Sequence, residues 1–397
     1  MVVVLCLLGC TGERVPEPSA APGGSAVVTA ARVDASGAAA PVLRAVLTGE
    51  LEARVHLLDL GSAAQVAGRD DEVAGIDEAL GQREEAAGRA LAAVVGPTRA
   101  RGVAGVLADQ DELVLAHATP ATASEERRLA ARLPAAAGRL ARVLEGMTGG
   151  RLPVDVAEPL ATSNLVSLVA IADAHRAGSA VESAQAVHEA LATGARMIEP
   201  LVLALVADVG LVGAPSGDAA QVRLMLTSAV VQHGFGAASS ALGGGPSEAS
   251  TGAAADRLSA VFAASYGADV GSEVRSLWVD GAAAAAEAVE AAVSVRQAAT
   301  SAERIDARGE AALAEQRSDD AIAALATHLA DTVGDEDVEP ATQEALVDHR
   351  ERLIEAQAAQ ASGDAGAAWT VASDGAVELG DLAAVLAGSV TRQKSLG

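Results

Sequence analysis

The chain has 397 residues, half of them apolar, and its 53 acidic against 28 basic side chains leave a net charge of −25. That balance argues against nucleic acid and against anionic lipid gripped through a basic face, because both are polyanions. Two Trp, one Tyr and two Phe are the aromatic complement, so a core must come from Ala, Val and Leu, and Ala is the strongest helix former.

The first element is MVVVLCLL, an apolar run well short of the about 20 residues that a membrane span needs. It reads as the hydrophobic region of a signal peptide over residues 1–9. No Lys or Arg precedes it, a departure from the signal-peptide pattern that a start codon upstream of Met1 would explain. Leu7-Leu8-Gly9-Cys10 resembles the bacterial lipobox, which implies that Cys10 is lipidated and becomes the mature N-terminus. Cys6 is then discarded with the signal, and the mature chain has no thiol for a disulfide, a zinc site or a nucleophile. Residues 10–40 follow as a Pro-, Ala-, Gly- and Ser-rich tether, and about 30 such residues reach roughly 30 Å on average.

From residue 41 onward the pattern is helical. Amphipathic stretches are expected over 42–66, 70–95, 99–118, 123–146, 154–177 and 180–208, with TGG at 148–150 and RAG at 176–178 as helix ends. LVLALVADVGLVGA at 201–214 is too short for a span, contains Asp208, and is expected to be a buried helix end. No two-residue alternation lies between turn signals, so no strands are expected. Three ordered matches suggest an internal repeat: 90–96 with 261–267, 103–109 with 274–280, and 194–201 with 375–382. The expected architecture is all-α: two tandem helical bundles, 41–213 and 214–390, joined at GAPSGD, folding semi-independently, with a tail at 391–397.

Gly68-Arg69-Asp70, Tyr266-Gly267 and Trp278 resemble motifs of a family of secreted or lipid-anchored bacterial tandem-bundle proteins of poorly defined function. The resemblance implies a Glu-His pair near the start of each copy, a Trp-x-x-His helix and a later His-Met pair. Here those positions hold Ala53-Arg54, Ser228-Ala229, Gly281, Arg196-Met197 and Val377-Glu378, so most of any ligand set is missing. The copper amine oxidase label that some members carry has no support in Tyr266, which no His cluster accompanies.

Candidate chemistry is sparse. None of His56, His117, His175, His188, His233, His328 and His349 stands three residues after a Glu, as bundle metal sites require. Glu52 and His56 are four apart and share a helix face, and Asp348 with His349 sit at a helix edge. Aligned through Leu168 and Leu353, His349 falls opposite Asn164 in an apolar stripe. It is expected to be a buried residue satisfied by a carbonyl or a facing side chain, with a weak claim as a metal ligand. DTVGDEDVEP at 331–340 lacks the spacing of a calcium loop, GGG at 243–245 is no phosphate loop, and no Gly-x-Ser-x-Gly elbow occurs. Trp278 and Trp369 are expected in the core. No catalytic residue and no cofactor are assigned. The expectation is a non-catalytic, lipid-anchored protein on the extracytoplasmic side of the cell membrane, bound to the membrane through Cys10 and presenting helices to an envelope partner. The alternative is a ferritin-like metal-binding bundle with a degenerate site.

Overall fold

In the computed structural model, residues 39–243 and 248–394 are described; Cys10, the lipobox and the tether lie outside them. Among the described residues every regular element is helical, and the fold is all-α. The first half comprises α1 (Ala39–Val66), α2 (Asp70–Val95), the single turn α3 (Pro97–Ala100), α4 (Val103–Ala118), α5 (Ala123–Ala130), α6 (Leu133–Met147), α7 (Val154–Ala177) and α8 (Ala180–Val209). The second comprises α9 (Asp218–Ala241), α10 (Glu248–Tyr266), α11 (Ala268–Gln297), α12 (Ser301–Val333), α13 (Val338–Ala361) and α14 (Ala365–Lys394).

The helix limits follow local chemistry. Thr122 and Ser179 accept the Glu125 and Glu182 backbone N–H groups, and Thr300 forms a capping box with Glu303. Gly178, Gly210 and Gly334 close α7, α8 and α12 in the left-handed conformation. Two expected helices are each split. Residues 99–118 break at Arg101-Gly102, where Gly102 has a φ of 94°. Residues 123–146 break at 131–132, just before Leu133-Pro134, because a proline fits only the first turn of a new helix.

The central helix is α1. It packs against α2, α4, α7 and α8 of its own half and against α9 of the other. Ala53, Val55, Leu57 and Leu58 are all fully buried, which no single helical face could contain. In the second half α9 has the matching place, packed against α10, α11, α13 and α14. The expected boundary at 213/214 falls in the α8–α9 connection, which Arg44 of α1 pins by donating to the Pro215 carbonyl at 2.7 Å and pairing with Glu199.

Semi-independent folding of the halves is not what the packing provides. Phe235 and Ala238 of α9, Leu353 of α13 and Trp369 and Ala372 of α14 join the same apolar cluster as Leu43, Leu57 and Leu80. A second cluster around Phe262, Trp278, Leu329 and Leu386 lies wholly in the second half. The physical reason is α1 itself: its apolar residues surround the axis, and one bundle cannot cover them all. Both Trp residues are in the core as expected. Of the 201–214 stretch, expected to be a buried helix end, Leu201, Val202, Ala204 and Leu205 are buried, whereas Leu203, Val209 and Val212 are exposed and α8 ends at Val209. By length and composition α7 and α8 could each cross a membrane, but 44% and 56% of their apolar windows are covered by other helices.

The seam between the halves is closed on one side and open on the other. On the closed side α2 lies directly on α14, and a Cβ at Gly75 would stand 2.5 Å from the Ala365 carbonyl oxygen. On the open side α8, packed on α1, and α10, packed on α9, stand apart from each other, and a cleft lies between them.

Candidate functional site

The site grows from four alternate residues of α1: Glu50, Glu52, Arg54 and His56. Residues two apart on a helix point nearly opposite ways, whereas residues four apart share a face. Glu50 and Arg54 therefore turn toward α2 and α4, and Glu52 and His56 toward α9. Because α1 is enclosed on nearly every side, each of these polar groups must find its partner inside the protein.

On the first face, Arg54 is 2% exposed and donates through Nε to Asp111 of α4 at 2.7 and 3.0 Å. Glu84 of α2 joins this pair. Burial pushes its carboxyl up to about 9, and a shared hydrogen bond with Asp111 pushes the same way, so it stays protonated beside the Asp111 carboxylate. One turn away, Arg83 of α2 is neutralised twice, by Asp374 of α14 and by Glu50 at 3.7 Å. Burial nevertheless raises Glu50 to about 7, against the pull of Arg83.

On the second face, Glu52 and Ser228 form part of the wall of the open cleft, of about 260 Å³, with Thr48, Leu191, Leu224, Met225 and Arg257. Exposed His188 and Gln221 stand at its mouth. The Ser228 hydroxyl donates to Glu52 Oε1 at 2.7 Å and accepts from Arg257 Nη1 at 2.7 Å. Glu52 is 7% exposed and its Oε2 is buried without a hydrogen-bond partner among the described residues. Burial raises its carboxyl to about 7, opposed by the Ser228 hydrogen bond and the Arg257 charge. No carboxylate among the described residues lies within ion-pair distance of Arg257. This is a carboxylate with one free oxygen and a guanidinium outside direct ion-pair distance of any carboxylate among the described residues, bridged by one hydroxyl in a partly apolar hollow. It can hold a polar ligand at two points.

The residues singled out from the sequence are distributed differently. Glu52 and His56 do share a face, but only Glu52 reaches the cleft; His56 stacks on Phe235 with centroids 5.5 Å apart. Asp348 is exposed while its neighbour His349 is buried, so the two point apart. Asn164 is satisfied by the Ala190 carbonyl and Thr193 Oγ1, each at 3.3 Å. His349 is buried as expected, and the Gly375 backbone beside its ring is its one weak hydrogen-bond partner among the described residues. It lies 5.9 Å from His233, whose ring meets Trp278 edge-on at 5.0 Å. Burial lowers His349 to about 4 and His233 to about 3, so both are neutral imidazoles near pH 7.

Among the described residues no three His, Cys, Asp or Glu side chains converge as a metal site would need. The positions at which the family resemblance implies ligands are scattered. Arg54 has its own buried ion pair, Ser228 lies in the cleft, Gly281 is inside α11, and Arg196 pairs with Glu189 at the surface. The sequence reading named Ser228 only as a position of the family resemblance and did not name Arg257, because no local spacing ties either to Glu52; only the packing of α1 on α9 and of α9 on α10 does.

Fold and site together define an all-helical protein with an open cleft, lined by Glu52, Ser228 and Arg257, at the seam of its halves. Compared with known protein families, characterised proteins and solved structures, the chain matches none.

Proposed function

We propose that this is a non-catalytic lipoprotein of the cell envelope, anchored through Cys10, whose helical body binds a small molecule in the cleft between α8 and α10. The observation that carries the reading is the buried, unpartnered Glu52 Oε2 in the cleft wall, since a buried polar atom without a partner costs free energy that a bound donor recovers. Binding rather than reaction suits the site. The Ser228 proton is already directed at Glu52, and its lone pair faces Arg257, so the hydroxyl is held from both sides. The tandem arrangement belongs to the same reading. It is supported by the parallel packing of α1 on α2, α4, α7 and α8 and of α9 on α10, α11, α13 and α14. The anchor is supported by the lipobox-like Leu7-Leu8-Gly9-Cys10 and the tether after it.

Saturation-transfer NMR on the purified protein, with a mixture of small polar molecules, tests the cleft. At least one component is expected to bind, and Ala195→Trp, which places an indole in the cleft, is expected to abolish that signal. Binding that survives the indole would remove the cleft from the account. Labelled palmitate should enter the wild-type protein in a bacterial host and not Cys10→Ser; absence of label in the wild type would remove the anchor.

A second reading, a metal-binding bundle with a reduced donor set, has the adjacent imidazoles of His233 and His349 in its favour. Elemental analysis showing near one equivalent of a transition metal, lost in His349→Ala, would establish it over the first.

A further inference from the structure

Resting on the cleft reading above, we infer the class of ligand: a small aliphatic zwitterion of the α-amino-acid type, with its ammonium on Glu52 and its carboxylate on Arg257. Four observations lead there. The free Oε2 of Glu52 is a buried acceptor, and an ammonium is the donor that matches a carboxylate best. Arg257 is a cation outside direct ion-pair distance of any carboxylate among the described residues, whereas Arg83, which projects from α2 on the closed side of the seam, is neutralised by Glu50 and Asp374. On the open side a ligand carboxylate would supply what those two acids supply on the closed side.

The third observation is spacing. A single hydroxyl bridges Glu52 and Arg257 through two hydrogen bonds of 2.7 Å, so the opposite charges are near enough for two head groups carried on one carbon. The fourth is the surroundings. Leu191, Leu224 and Met225 present apolar surface beside the charged pair. The cleft of about 260 Å³ lies just below the range of about 300–1,000 Å³ usual for ligand pockets, which suits a small ligand. A simple amine would leave Arg257 unanswered, and a simple carboxylate would leave the Glu52 oxygen unpartnered. Such one-headed analogues lose affinity steeply at a site whose buried polar groups they cannot pair.

Calorimetric titration of the full protein with leucine, 3-methylbutylamine and 4-methylpentanoate is the test. Leucine is expected to bind, with each one-headed analogue at least tenfold weaker. Glu52→Gln and Arg257→Met are each expected to weaken leucine at least tenfold; Arg257 is only half-buried, so its variant keeps the test valid if Glu52→Gln does not fold. An analogue binding as tightly as leucine, or no leucine binding where the molecular mixture does bind, overturns the zwitterion and leaves the cleft reading standing. Leucine binding that neither variant weakens, but that Ala195→Trp abolishes, overturns the two-point contact. Binding insensitive to all three variants overturns both readings.

Discussion

His349 shows what a buried, weakly partnered polar residue does to stability. Both of its nitrogens are enclosed with only the Gly375 backbone near, and the ring stays neutral because burial depresses its affinity for a proton, against the pull of that backbone group. The unfolded chain takes up that proton below about pH 6.5, whereas the folded protein does so only near pH 4. The unfolded state therefore binds more protons between those values, and stability is complete above the first and lost as pH falls toward the second. His349→Leu replaces the imidazole with an apolar group of similar size. Its stability at pH 7 is expected within about 1 kcal/mol of wild type or above it. Its loss of stability from pH 6.5 to 5 should be smaller than that of wild type. Urea titrations at both pH values check this, and a loss of about 3 kcal/mol at pH 7 would show that the ring makes a strong bond after all.

Glu52 has the opposite sign. Its folded value of about 7 lies above the ordinary 4.5, so its contribution is favourable below 4.5 and is lost as pH rises through 7. Glu52→Gln should therefore stabilise the ligand-free protein more at pH 8 than at pH 5, as melting temperatures in the two buffers would show. Equal shifts at both pH values would mean that Glu52 ionises as a solvent-exposed group does.

At the scale of elements, helix limits were legible because they are local. Caps, glycines in left-handed conformation and the proline after residue 132 act within one turn, and the expected ranges 70–95, 154–177 and 180–208 stand within a residue of α2, α7 and α8. What the amphipathic pattern could not convey is that α1 is buried on nearly every side, because charges at 50, 52 and 54 read as solvent-facing groups until helices from both halves pack over them. The partners of those charges lie on other helices: Arg83 on α2, Asp111 on α4, Ser228 on α9. Helix pairing is set by close approach, and Gly75 is the clearest case. A side chain there meets the backbone of Ala365 and Gly366, which no rotamer can relieve. Gly75→Val is expected to destabilise by about 1–3 kcal/mol through overpacking at the α2–α14 contact. Gly81→Val, with open space around its Cβ, isolates the small propensity gain of replacing a helical glycine on the same helix, and equal effects for the two would show that α2 and α14 are not in close contact.

At the scale of the whole molecule, the proposed site belongs to the seam between the two halves of the chain. Only there does α1 meet α9, and only the open side of that seam places Glu52 beside Ser228 and Arg257. Because the larger apolar cluster draws on α1, α2, α9, α13 and α14 together, the halves should unfold as one body. Differential scanning calorimetry of the purified protein, with and without leucine, measures both consequences at once. The account predicts a single transition whose calorimetric and van't Hoff enthalpies agree and whose midpoint rises with leucine concentration. Two separate transitions, or one that leucine leaves unmoved, would contradict it.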